Sequence, residues 1–139
     1  MTAKEYLLRY KEAKNEITYT LEELEKMRTM ITQVKAAQSD SERVKSSGSQ
    51  DPLGDAIATL VMMEEEMCDK VSTMKEIKRE IEYTLSQIKD SDLKNILCLR
   101  YLLDKSWEEI AITLNISYRH TTRLHGIALQ KVDEIIKMS

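Results

Sequence analysis

The chain has 139 residues, a formal net charge of −3, 3 Gly, 1 Pro and no Phe. That length holds one ordinary domain, or an extended element plus a very small domain. Few breakers, 32% charged residues and abundant Leu, Ile, Met, Glu and Lys favour long helices over sheet, while aromatics at only 5% exclude a large jigsaw core. The acidic balance excludes indiscriminate coating of nucleic acid, so any such contact needs a local cationic patch.

The first element opens on Thr2-Ala3-Lys4-Glu5, a capping box with Thr2 as N-cap and Glu5 reaching back. A helical pattern then runs without a breaker to about Gln38, roughly 50 Å at 1.5 Å per residue. Its apolar stripe reads Leu7, Tyr10, Ile17, Leu21, Leu24, Ile31 and Val34, interrupted by Lys14 and Arg28. Steps near three and four are the spacing of a coiled-coil seam, which cannot be buried without a partner helix. Residues 39–50 follow as a polar Ser-rich connector, the core of a loop over about 39–52.

Asp51-Pro52 restarts the chain, with Asp as N-cap and Pro at the first helical position. The second stripe is Ile57, Leu60, Met67, Val71, Met74, Ile81, Leu85 and Ile88, interrupted by Glu64 and Lys78. Two seams of equal length joined by one loop fold back as an antiparallel hairpin over residues 1–90. Pairing the ends nearest the loop sets Arg28 level with Glu64 and, less favourably, Lys14 near Lys78. Met62, Met63, Met67 and Met74 lie on or beside the seam and read as core, and Glu64-Glu65-Glu66 reads as a solvated face.

Asp90-Ser91-Asp92 marks a break, and residues 91–139 read as a second domain of three short helices. The first covers about Asp92–Leu103. The second starts at the capping box Ser106-Trp107-Glu108-Glu109 and ends at Asn115-Ile116-Ser117. The third runs from Tyr118 to about Met138, capped by Ser117. This order fits a helix-turn-helix: Ala111 is small where two helices cross, Asn115 tolerates left-handed backbone in the turn, and Ile116 plugs it. Thr121, Leu124, Ala128, Val132 and Ile135 form an inner stripe on the third helix. Arg119, Thr122, Arg123 and Gly126 share another face, flanked by Tyr118 and His120. From Asn115 to Lys131 there are three bases, two His and no acid, whereas residues 54–91 carry nine acids against five bases. A helix presenting that acid-free face suits the major groove, where Arg bonds guanine bidentately and Thr reaches bases or phosphates. The amides at the Ser106 helix N-terminus suit a phosphate, and Lys131 a sequence-independent contact.

The stretch Leu99–Ser117, containing Ser106-Trp107-Glu108-Glu109-Ile110-Ala111 and Asn115-Ile116-Ser117, followed by Leu124-His125-Gly126-Ile127-Ala128-Leu129, resembles region 4 of sigma-70 family factors. With the long acidic hairpin before it, the layout resembles phage-encoded transcriptional regulators of the ArpU and RinA type. The resemblance implies promoter-type DNA recognition and gives Tyr118, Arg119, His120, Thr122 and Arg123 the reading role. Two departures stand out: Thr121 where the sigma pattern has an aliphatic residue, and Gly126 where it has Ala. Residues 1–90 contain no Trp or Phe, so the aromatics that hold flipped bases during promoter melting are missing.

The resulting expectation is an all-α protein that binds double-stranded DNA through Ser106, Ser117, Tyr118, Arg119, His120, Thr122, Arg123 and Lys131. It forms a homodimer through the hairpin, and RNA polymerase is a candidate partner. Nothing in the sequence calls for an enzyme, a cofactor or a metal site: there is no glycine-rich phosphate loop, no nucleophile elbow and no ligand cluster, and His120 and His125 are five apart rather than four. Both His read as groove-edge or packing residues. Cys68 and Cys98 read as buried free thiols. With no secretory signal, lipidation motif or bilayer-length apolar run, the expectation is a cytoplasmic protein with no membrane contact. The rival reading is a helical protein-interaction module or polymerase adaptor without DNA binding.

Overall fold

The computed structural model describes residues 1–40 and 51–139, without the side chains of residues 39 and 40. The fold is all-α: a long antiparallel hairpin of α1 (Ala3–Asp40) and α2 (Pro52–Ser86), then α3 (Ser91–Leu97), a π-helical turn (Cys98–Leu102), α4 (Trp107–Leu114) and α5 (Tyr118–Met138). Apart from the two residues that end α1, the expected Ser-rich connector lies outside the described residues.

The helix starts follow their capping chemistry. The Glu5 amide donates to Thr2 Oγ1 at 3.2 Å and the Thr2 amide to Glu5 Oε2 at 3.3 Å, closing the capping box. Asp51 accepts from the Gly54 amide at 3.0 Å, and a side chain at position 54 would collide with that carboxylate. Asp90 accepts from the amides of Asp92 and Leu93 and starts α3.

The chain divides into two compact units that do not follow the expected boundary between residues 90 and 91. One is Met1–Lys14 with Thr73–Ser139; the other is Asn15–Ser72. In the first unit the apolar faces of the tail helices are covered by the start of α1 and the end of α2. Ala3, Leu7, Ile81, Leu85, Leu97, Tyr101, Ala128 and Val132 belong to one buried cluster. A tail of under fifty residues buries too little apolar surface alone, and these helix ends complete its core. The Ala3 amide donates to Asp133 Oδ1 at 2.8 Å, so a carboxylate from α5 sits at the positive end of α1. Lys11 pairs with Asp104 at 3.2 Å, and Arg9 with Glu80 at 3.0 Å. The buried Tyr6 hydroxyl and Thr84 Oγ1 are 2.8 Å apart.

In the second unit the seam keeps a stricter period than the sequence reading gave it. Thr20 is buried and Leu21 is 47% exposed; Ala56 is buried and Ile57 is 42% exposed. The inward positions are Ile17, Thr20, Leu24, Met27, Ile31 and Val34 on α1, and Leu53, Ala56, Leu60, Met63, Met67 and Lys70 on α2. Steps of three and four alternate throughout, so the supposed interruptions at Arg28 and Glu64 are outward residues. Lys70 lies in the seam and donates to Thr20 Oγ1 at 2.8 Å, while Thr20 donates to the Glu16 carbonyl at 2.9 Å. Arg28 bonds Glu25 on its own helix at 3.1 Å. The Lys14 ammonium lies 5.4 Å from the Tyr10 ring. Of the four methionines read as core, Met62 is 63% exposed. Both thiols are free, but Cys68 is exposed rather than buried, because it falls on the outer flank of α2; Cys98 is half-buried.

Candidate nucleic-acid interface

The turn between α4 and α5 is built locally. Ser106 caps α4 by accepting from the Glu109 amide at 3.2 Å. Asn115 ends α4 in the left-handed region at φ 57°, ψ 46°. The Ile116 amide then donates to the Ala111 carbonyl at 3.0 Å, which turns the half-buried Ile116 back towards the helices. Ser117 caps α5 by accepting from the His120 amide at 3.0 Å. The inner stripe of α5 is Thr121, Ala128 and Val132, fully buried, with Leu124 and Ile135 half-buried. Thr121, where the sigma pattern has an aliphatic side chain, spends its hydroxyl on the Ser117 carbonyl at 2.8 Å and so buries no unpaired polar atom.

The first helix of the tail departs from its expected form. The α-helical pattern stops at Leu97 and continues as a π turn, in which the Leu103 amide reaches the Cys98 carbonyl at 3.1 Å. The extra residue per turn brings Tyr101 inward. Its hydroxyl lies 2.8 Å from His125 Nε2, and the His125 ring meets the Trp107 ring edge-on at a centroid distance of 4.5 Å. The Arg100 guanidinium covers Trp107 at 4.5 Å and donates to the Lys105 carbonyl at 3.0 Å. This stack ties the π turn, α4 and α5 together. Burial, with the charges of Arg100 and Lys4 adding to it, pushes the His125 pKa down to about 4, so the ring is neutral at neutral pH. The sequence signals for this stack were the single Trp and a His read as a groove-edge or packing residue, but the π turn that joins them leaves no local pattern.

On the opposite side of α5, Ser117, Arg119, His120, Thr122 and Arg123 line one open concavity of about 500 Å³. Arg123 Nη2 lies 3.0 Å from His120 Nδ1, and Thr122 Oγ1 donates to the Arg119 carbonyl at 2.9 Å. Among the described residues, neither arginine has a carboxylate within ion-pair distance. Tyr118 stands at the edge, 50% exposed. Gly126 continues the same face two turns on, and a Cβ there would meet nothing within 4 Å. The remaining two predicted residues fall elsewhere. Lys131 lies near Glu134 at 4.0 Å, in a separate hollow with Gln87, Lys89 and Asp90. Ser106 is occupied as a cap, and the exposed Glu108 and Glu109 already place negative charge in the first turn of α4, which weakens that end as a phosphate site.

A family model described as a protein of unknown function (DUF1492) matches residues 34–133, well over half of the chain. The chain belongs to this family. The matched span runs from the last turns of α1 into α5 and so includes the whole arginine-lined concavity. No curated protein and no solved structure matches the chain. Among the described residues, no helix is long and apolar enough to cross a membrane.

Proposed function

We propose that this chain is a sequence-specific regulator of transcription that binds double-stranded DNA and reads the major groove with the first turns of α5. The observation that carries the reading is the pairing state of Arg119 and Arg123. Both are exposed, both lie on one concave face, and among the described residues neither is neutralised by a carboxylate. A packing module gains nothing from leaving two guanidinium groups in this state, whereas a groove-reading helix requires it. Asn115 in the left-handed turn and the Ser117 cap aim the N-terminal end of α5 outward, as a recognition helix needs. The resemblance to sigma-70 region 4 and to phage regulators of the ArpU and RinA type supports the same reading, including a phage or prophage origin and work in the cytoplasm. In this reading the protein is a binding protein and not an enzyme.

One helix-turn-helix with so few cations binds weakly, so a homodimer joined through the hairpin would supply the missing avidity. The exposed Leu21, Met30, Ile57, Val61 and Met62 on Asn15–Ser72 are apolar side chains available for such a contact, or for RNA polymerase. The same residues favour the second reading, a helical adaptor that meets a protein and not DNA. Fluorescence anisotropy of a labelled duplex pool separates the two. The DNA reading predicts binding that weakens steeply with salt and is lost in the Arg119→Ala, Arg123→Ala double variant. Salt-independent binding, or none, with intact association to polymerase supports the adaptor.

A further inference from the structure

His120 and Arg123 are one turn apart on the exposed face of α5, and their side chains meet at 3.0 Å. Arginine has five donors and no acceptor, so His120 Nδ1 accepts and its ring proton resides on Nε2. His120 is half-buried and its backbone amide is fixed by the Ser117 cap, so the acceptor has a defined place. Arg119 lies four residues before Arg123 and has no such side-chain anchor among the described contacts. The rise of α5 sets the Cα atoms of the two arginines about 6 Å apart along the helix axis. Base pairs stack about 3.4 Å apart, so a helix running along the groove sets the two arginines about two base steps apart.

Resting on the DNA-binding reading above, we infer that the chain recognises two guanines two base steps apart, one through Arg119 and one through Arg123, and that His120 is the positioning residue that turns Arg123 into a selective reader. A long, free guanidinium meets phosphates and base edges alike. Held on one side by His120 Nδ1, Arg123 presents its remaining donors as a fork, the arrangement that matches guanine O6 and N7. The imidazole thus acts on specificity and leaves the number of phosphate contacts unchanged. Thr122, whose hydroxyl is turned back to the Arg119 carbonyl, contributes no comparable anchor.

The test is selection of bound duplexes from a random library by the full chain and by four variants: Arg119→Ala, Arg123→Ala, His120→Ala and His120→Asn. Asn places Oδ1 close to where His places Nδ1 and keeps an acceptor for Arg123. The wild type is expected to enrich two guanines with one base pair between them, each preferred roughly 5- to 150-fold over other bases. Arg123→Ala and His120→Ala lose the same guanine and keep the other; His120→Asn retains both. The salt slope of His120→Ala on random duplex stays at the wild-type value, a readout that a loss of folding would not leave intact. If His120→Ala selects the wild-type sequence, or loses a base that Arg123→Ala keeps, the positioning role is wrong while DNA reading survives. If the wild type enriches no sequence at all, the DNA reading itself fails.

Discussion

The two compact units bury their residues in different ways. Asn15–Ser72 is a pair of helices whose seam is mostly half-buried and contains a lysine and a threonine; Met1–Lys14 with Thr73–Ser139 surrounds Leu7, Ile81, Leu85, Leu97 and Val132 until almost none of their surface is left. A two-helix seam has solvent on both flanks and tolerates polar layers, because water can reach the charged end of a side chain. A core closed on all sides has no such outlet, so each side chain there contributes more. The unit with the closed core is also the one that holds the arginine-lined face.

The largest test of that contrast lies within α2. Ile81→Ala, in the closed core, is expected to cost about 3–4 kcal/mol in denaturant unfolding, whereas Leu60→Ala, in the half-buried seam, should cost about half as much. Equal costs would mean that the two units are packed alike. Next comes Trp107→Ala. The ring is half-buried between Arg100 and His125, so the expected loss is about 2–3 kcal/mol, below the full range for a core Trp. Thermal melts of the wild type and the variant check it.

The same stack gives stability a pH dependence. His125 titrates near 6.5 when unfolded but is held down to about 4 in the fold. As pH falls from about 6.5 towards 4, the unfolded chain takes up a proton that the folded chain refuses, so stability decreases across that window and levels off below it. His125→Gln should flatten this part of the profile, and an unchanged profile would remove His125 from the core. The smallest expected change is a gain: Gly126 has helical backbone and open space at its Cβ position, so Gly126→Ala should stabilise by about 1 kcal/mol. If that variant also weakens DNA binding, the glycine serves close approach to a phosphate; if binding is unchanged, it serves no contact.

Much of the tail was legible because its signals are local. Ser106 and Ser117 cap through their own neighbours' amides, Asn115 takes the left-handed turn, and α5 runs over the expected residues. The hairpin seam was legible apart from Leu21 and Ile57, which are exposed. Leu21 and Ile57 read as seam residues, whereas the three-four period turns Thr20 and Ala56 inward. The inward Thr20 is affordable only because Glu16 and Lys70 satisfy its hydroxyl, a fact that depends on the partner helix. The joining of Met1–Lys14 to the tail, the π turn at Cys98–Leu102 and the Tyr101–His125 contact are all non-local, and no window of sequence contains both sides of them. Helical spacing on α5 places Arg119, His120, Thr122 and Arg123 on one face, and they line one concavity; Glu134 beside Lys131, and Glu108 and Glu109 in the turn capped by Ser106, enter the surroundings of the two residues expected to contact phosphate.

The proposed function requires guanidinium groups from α5 to reach base edges in the major groove. Guanine N7 lies in that groove, so dimethyl sulfate protection on a selected duplex measures the contact directly. The wild-type chain should protect two guanines, with Arg119→Ala and Arg123→Ala each exposing a different one. Full methylation of every guanine under saturating protein, or protection that survives both substitutions, would contradict it.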